Sequence, residues 1–391
     1  MVTACSKKLF TYIVVPPKAG LFLLYLKEVK KLVFTVTNDL NYDQRMQRIC
    51  GALADAGYDV LLIGRKLKTS LPLSKKNYHQ QRLTCWFNKG KLFYSEFNIR
   101  LFFFLLFKKM DCICAIDLDT ILPCYYVSKL KGVKRVYDAH EYFSQLDEVV
   151  NRPSIYRFWH RIEKRMIPKF KNGYTVCGSL AEEFRKNYIA NYKVIRNVPL
   201  LVESNEQMRS EDVILYQGAV NKGRGLEKLA LAMKYVNAVL WVCGNGNFME
   251  EMRSFVQAND LLGKVTFFGM LPPEELKKRT AQAYVAVNPF ERTGLNQYLS
   301  LSNKFFDYIH AGIPQLTMNY PEYKKINDQF KIAELIDDLD PETIAKAINR
   351  LITNKELYFQ LKQNCLVARQ ELNWQKEKDR LLNFYDELFN E

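Results

Sequence analysis

The chain has no CxxC pair, no Gly-x-Ser-x-Gly elbow and no His/Asp/Glu cluster at metal-ligand spacing. These absences argue against a structural zinc site, a hydrolase-type serine nucleophile and a metal centre. No RNP-type or zinc-finger pattern accompanies the basic residues, which argues against nucleic acid as the partner. No uninterrupted apolar run is long enough to span a bilayer. Residues 9–26 come nearest, but Pro16-Pro17-Lys18 breaks them. No small-residue cleavage site follows, so this stretch is no clean signal peptide. We expect residues 1–30 to be an upstream extension, poorly ordered or lying on a membrane surface.

The nine cysteines are odd in number, and most sit inside apolar runs such as Asp111-Cys112-Ile113-Cys114-Ala115-Ile116. That pattern fits reduced core cysteines of a cytoplasmic protein. Hydrophobic content of 48% with 25% charge is globular. At about 150 residues per domain, the length of 391 residues implies two or three domains. A formal charge of +15 points to an anionic partner, either a phosphorylated substrate or an anionic membrane surface.

From residue 31 the pattern alternates. A buried strand at 32–36, a polar loop, a helix at 44–56 with Met46, Ile49 and Leu53 on one face, and a strand at 60–64 form a β-loop-α-β unit. A strongly apolar helix at 99–107 is expected to be buried between sheet and neighbours. Strands at 112–116 and 135–138, the latter ending in Ala139-His140-Glu141, continue the series. A second alternating series begins at residue 213, with strands at 213–218, 239–244, 265–269 and 284–287. Two parallel-sheet α/β domains follow, with ligands beyond the carboxyl ends of the strands and a cleft between the domains.

Three stretches carry candidate chemistry. In Tyr216-Gln217-Gly218-Ala219-Val220-Asn221-Lys222-Gly223-Arg224-Gly225 a strand enters a glycine-rich basic loop, where backbone N–H groups and Arg224 can meet phosphate oxygens. Its spacing matches neither the P-loop nor the dinucleotide fingerprint. The helix entered by Ser302-Asn303-Lys304 places Lys304 and Asp307 on one face as an i, i+3 pair, buries Phe305, Phe306 and Ile309, and stops at Gly312. Lys304 there can hold a phosphate while Asp307 accepts hydrogen bonds from a ribose. In the amino-terminal half, His140 at a strand end can bind a sugar hydroxyl. Asp39, Asn41 and Arg45 line the first polar loop, where acceptor contact competes with simple helix capping.

These pieces, in this order and spacing, resemble the GT-B glycosyltransferases, specifically the retaining glycosyltransferase family 4, over residue 31 to the carboxyl terminus. Gln217-Gly218 with Lys222 to Gly225, Gly244-Asn245-Gly246, Val265-Thr266-Phe267-Phe268-Gly269, Ser302-Asn303-Lys304 with Asp307-Tyr308, and Tyr137-Asp138-Ala139-His140-Glu141 carry the resemblance. It implies two Rossmann-like α/β domains facing across a cleft, an acceptor-side domain at 31–197, a nucleotide-sugar domain at 198–373, and a last helix at 374–391 that returns to the first domain. It implies a donor held by Gly218, Arg224, Asn245, Phe268, Gly269, Asn303, Lys304 and Asp307, with His140, Arg224 and Lys304 as catalytic groups. Asp39, Asn41, Arg45 and Glu141 would lie on the acceptor side. A UDP- or GDP-linked sugar is the implied co-substrate, with no other cofactor and no metal. The acceptor would be a glycan or lipid-linked molecule, and the place cytoplasmic, peripheral at the inner membrane face. Where many members carry the first of two motif glutamates, this chain has Leu299. Two other readings remain beside this one: a nucleotide-sugar epimerase of the same fold, and a catalytically silent sugar-nucleotide-binding protein.

Overall fold

The structure is a computed structural model describing residues 29–41, 43–202 and 209–390. The expectation for the extension therefore falls, but for its last two residues, outside the described part. Seven parallel strands form the first sheet: β1 (Lys31–Thr35), β2 (Asp59–Lys66), β3 (His79–Thr84), β4 (Cys112–Ile116), β5 (Lys134–Ala139), β6 (Asn172–Thr175) and β7 (Lys193–Val194). Their order is β3-β2-β1-β4-β5-β6-β7, so the winding reverses between β1 and β4. Six parallel strands form the second sheet: β8 (Ser210–Gln217), β9 (Val239–Cys243), β10 (Val265–Gly269), β11 (Ala283–Asn288), β12 (Gln315–Met318) and β13 (Ala333–Ile336). Here the order is β10-β9-β8-β11-β12-β13, and the reversal falls between β8 and β11. Such reversals open a crevice at the carboxyl ends of the strands.

The central strands are apolar on both faces because helices cover both. All five residues of β4 are buried, and so are all six of β11. β3, which the sequence pattern does not announce, is a polar edge strand (His79-Gln80-Gln81-Arg82-Leu83-Thr84) and buries little. The last helix, Trp374–Asn390, packs Trp374, Leu381, Phe384, Tyr385 and Leu388 against Leu32, Phe34 and Val36 of the first domain. Glu377 on that helix is fully buried and accepts from Arg196 N and from the Arg196 and Arg380 guanidiniums. All eight described cysteines are free and buried.

One expectation is corrected. The apolar helix spans Gly90–Leu106 and buries only one face, through Phe93, Phe97, Leu101 and Leu105. Leu92, Ile99 and Phe103 on the other face are exposed, as is Phe107 beyond its end. The surrounding elements cover one side of this helix, so its hydrophobicity all round exceeds what the core can take up. Among the described residues no helix is long and apolar enough to cross a membrane.

The two domains touch directly. Tyr142 N donates to Asn296 Oδ1 at 2.8 Å, and Ser179 donates from both N and Oγ to Glu322 Oε1. Leu299, on the short helix Leu295–Leu299, is buried among the first domain's apolar residues, and its carbonyl accepts from the Cys177 thiol. An apolar residue at this position thus serves packing between the domains.

Candidate functional site

β8 ends at Gln217, and the chain turns at Gly218 with φ +122°. A side chain at Gly244, at the end of β9, would sit 1.8 Å from the Gly218 carbonyl oxygen, so the two loops pack backbone to backbone. Asn245 accepts from Val220 N through its own carbonyl, while its side-chain oxygen takes Gly246 N. Asn245 therefore shapes the loop wall, with its side chain at the surface.

The helix Asn303–His310 buries Phe305, Phe306 and Ile309 as its pattern requires. Ser302 precedes it, but its hydroxyl donates to Asn288 Oδ1 and makes no cap. The first turn is thus left to an outside acceptor. Lys304 points into the reversal between β8 and β11. Its ammonium lies 3.8 Å from the centroid of the Tyr216 ring, at the end of β8, and 4.9 Å from that of Phe290, just past β11. It is 8% exposed and its Nζ has no hydrogen-bond partner. Burial, followed by the nearby Arg224 charge, holds its pKa well below the ordinary lysine value. Arg224 stacks its guanidinium 4.7 Å from the same Phe290 ring. Two basic side chains thus share one aromatic shelf, and the Arg224 charge disfavours protonation of Lys304.

Asp307 lies on the same helix as Lys304, and its carboxylate is taken by Gln217. Gln217 Nε2 donates to its Oδ2 at 2.8 Å, and Thr280 in turn fixes Gln217 by donating to Oε1. Tyr308 OH accepts from Gln217 N, which locks the strand end to the helix. Burial raises the Asp307 pKa to about 6, and the Arg48 charge and the Gln217 hydrogen bond offset part of that rise. Asn303 Oδ1 accepts from Asn197 Nδ2, and Asn197 Oδ1 takes the Arg48 guanidinium, so a polar chain joins the linker to both domains. Phe268 and Gly269, at the end of β10, are half-buried beside Trp241, and Arg279 stacks 4.2 Å from the Phe268 ring.

The first domain presents acids at its reversal. Asp117 follows β4 directly, with φ +53°. Its Oδ1 accepts from His140 N at 2.9 Å and Glu141 N at 3.1 Å, and so fixes the turn that carries both residues after β5. Burial and the Glu141, Asp119 and Asp138 carboxylates raise the Asp117 pKa well above the usual range. Burial raises Asp119 to about 7, while a hydrogen bond from Thr37 opposes the rise.

Arg45 is buried beneath this turn. It grips Asp138 at 2.8 and 3.2 Å and donates to the Ile195 carbonyl. Asp39 is held by Arg82 at 3.2 Å, by Ser70 and by Asn41 N, contacts that outweigh burial and keep its carboxyl low. Asn41 donates to Leu71 O. The structure thus gathers Gly218, Arg224, Lys304 and Asp307 around one crevice and His140 with Glu141 around the other. It gives Asp39, Asn41 and Arg45 partners within their own domain.

Phe290, Asp117 and Arg48 escape the sequence reading, and Tyr216 and Gln217 enter it only as part of the loop motif, without roles of their own. For Asp117 a signal existed: an acid immediately after the buried run Cys112-Ile113-Cys114-Ala115-Ile116. The contacts of Phe290 and Gln217 bridge long separations and leave no local trace.

No curated protein matches the chain in sequence. Among solved structures it is similar to sucrose-phosphate synthase from Thermosynechococcus elongatus, at TM-score 0.73 and 18% identity, covering 92% of this chain and 99% of that one. It is similar to a glycosyltransferase from Rickettsia africae ESF-5, at TM-score 0.71 and 12% identity over 93% and 99% of the two chains. It is also similar to Anabaena HepE, solved in complex with UDP-glucose, at TM-score 0.69 and 11% identity over 91% and 99%. These likenesses show the fold, two Rossmann-like α/β domains in GT-B arrangement. Residues 199–365 match the family model for glycosyl transferases group 1, and with that architecture the match supports a GT-B glycosyltransferase.

Proposed function

We infer that this chain transfers a sugar, with retention of configuration, from a nucleotide diphosphate to a glycan or lipid-linked acceptor in cell-surface polysaccharide synthesis, in the manner of glycosyltransferase family 4. The observation that carries the donor half of this reading is Lys304. A buried ammonium without a hydrogen-bond acceptor, beside a second cation, is a costly arrangement that a bound anion repairs. Its place at the sheet reversal and in an uncapped first helical turn fits a diphosphate. Arg224 and Lys304 then stabilise the charge that develops on the leaving diphosphate, a task a metal ion performs elsewhere. Asp307, oriented by Gln217, accepts the ribose hydroxyls, and the Phe268–Gly269 backbone lies against the base. His140, held by its backbone to Asp117, faces the donor sugar. The UDP-glucose bound by Anabaena HepE supports a UDP-linked donor, with a GDP-linked one as the alternative. The charge of +15 supports an acceptor held at an anionic membrane surface on the cytoplasmic side.

The direct test is a donor screen with purified protein, read as release of nucleoside diphosphate, repeated with a chelator present. Turnover of one donor that persists under chelation, with an α-configured product from an α-configured donor, is the expected result. Epimerised free sugar nucleotide, or binding without turnover in the presence of varied acceptors, would replace this reading.

A further inference from the structure

We propose that the outer face of the helix Gly90–Leu106, with the loop before it and Phe107 after it, is a docking surface for an anionic lipid bilayer. Leu92, Ile99 and Phe103 stand exposed along that face, while Phe93, Phe97, Leu101 and Leu105 anchor the opposite one in the core. Trp86 and Phe107 extend the patch at both ends and are each 83% exposed. A cluster of large apolar side chains standing in solvent on a well-anchored helix marks an interaction surface.

The flanking charges select the partner. Lys89 and Lys91 lie at one end, Lys108 and Lys109 at the other, and all four are exposed. Arg100 stacks on Trp86, with its guanidinium 4.6 Å from a ring centroid. Glu96 is the one acid within residues 85–109. Its carboxylate is turned inward, accepting from Trp86 N, Phe87 N and Arg100 Nε, so it clamps the aromatic loop onto the helix and presents little negative charge outward. Apolar and aromatic side chains bordered by lysines, with the acid withdrawn, fit an interface of acyl chains and anionic headgroups. A second protein copy bearing the same basic rim would meet it with like charge. The helix runs for 17 residues, about 25 Å at 1.5 Å per residue. It begins beside the carboxyl end of β3, on the crevice side of the sheet. A bilayer against this face would bring a lipid-linked acceptor to the cleft, which deepens the acceptor reading above and rests on it for that consequence alone.

The test is co-sedimentation of the full chain with vesicles of phosphatidylcholine, alone or mixed with phosphatidylglycerol. Binding is expected only to the mixed vesicles and weakens as salt rises. The double variant Phe103→Ser/Phe107→Ser should bind about tenfold more weakly or worse, and Lys108→Glu/Lys109→Glu should lose binding in low salt. Ile189→Ser, which removes an exposed apolar residue elsewhere, should bind as the parent does. Circular dichroism checks that each variant is folded. Equal vesicle binding by the parent and both double variants would overturn the proposal. So would no binding at all, or a parent dimer in sedimentation velocity that the Phe variant dissolves. No donor enters this experiment, so its failure leaves the transfer reading standing, and a failed donor screen leaves the surface standing.

Discussion

The two sheet reversals face one cleft with different ionisable groups. The reversal of the second domain carries Arg224 and Lys304 over the Phe290 ring. That of the first carries Asp117 and Asp119, with Asp138 and Glu141 close by. They also differ in how far their charges are satisfied. Asp138 is matched by Arg45 and Asp119 by Thr37, whereas Lys304 has an aromatic ring and no acceptor. Within one fold, a satisfied buried charge builds structure, whereas an unsatisfied one calls for an explanation, which the proposed donor would supply. The acid side positions the His140 turn, and in the proposed reaction the basic side would hold the leaving group.

The comparison can be broken in order of effect. Asp138→Ala leaves the Arg45 guanidinium buried without its partner and should cost about 3–5 kcal/mol of stability, read from chemical denaturation of the first domain. A change under about 1 kcal/mol would show that this pair is not structural. Lys304→Ala and Arg224→Ala should each lower turnover by about 10²–10³-fold, the scale of losing one donor to a developing charge, with little change in the denaturation midpoint. His140→Ala should spare nucleotide binding and reduce transfer; full activity in a steady-state assay removes it from the site.

Protonation gives smaller effects. Asp307, raised to about 6, should lose donor affinity as pH falls through that value. The sign for stability is opposite. A carboxyl whose folded pKa exceeds its unfolded one favours the folded state as pH falls through about 6. Asp307→Asn should abolish the acid limb of donor binding measured by calorimetry across pH. As pH rises, donor binding should weaken as Lys304 loses its proton, and Lys304→Arg should move that limb upward because the guanidinium stays charged.

Much of this was legible in the chain. The apolar strands and the stops at Gly57 and Gly312 give the two α/β halves, since burial on both faces demands continuous Val, Ile and Leu. β3 was not legible, because an edge strand reading His79-Gln80-Gln81-Arg82-Leu83-Thr84 has no apolar period. The short helix Leu295–Leu299 and the helix Pro321–Phe330 also escaped: the first packs Leu299 into the other domain's core, and the second packs Tyr323 and Ile326 into its own while Glu322 takes Ser179 across the interface. Lys304, Asp307, Arg224 and Gly218 could be read from residue type and spacing. The actual partner of Asp307 could not, because it is Gln217, 90 positions away. Arg45 and Asp39 looked free for the same reason: their partners Asp138 and Arg82 lie far along the chain.

On the proposed reading Lys304 and Arg224 together bind the donor diphosphate. Titration of UDP and GDP into the parent and Lys304→Met by calorimetry tests it most directly. Binding of one nucleotide to the parent, weakened about 10²-fold or more in Lys304→Met with the fold intact, is the predicted result. Equal affinity for that nucleotide in both proteins would contradict the account.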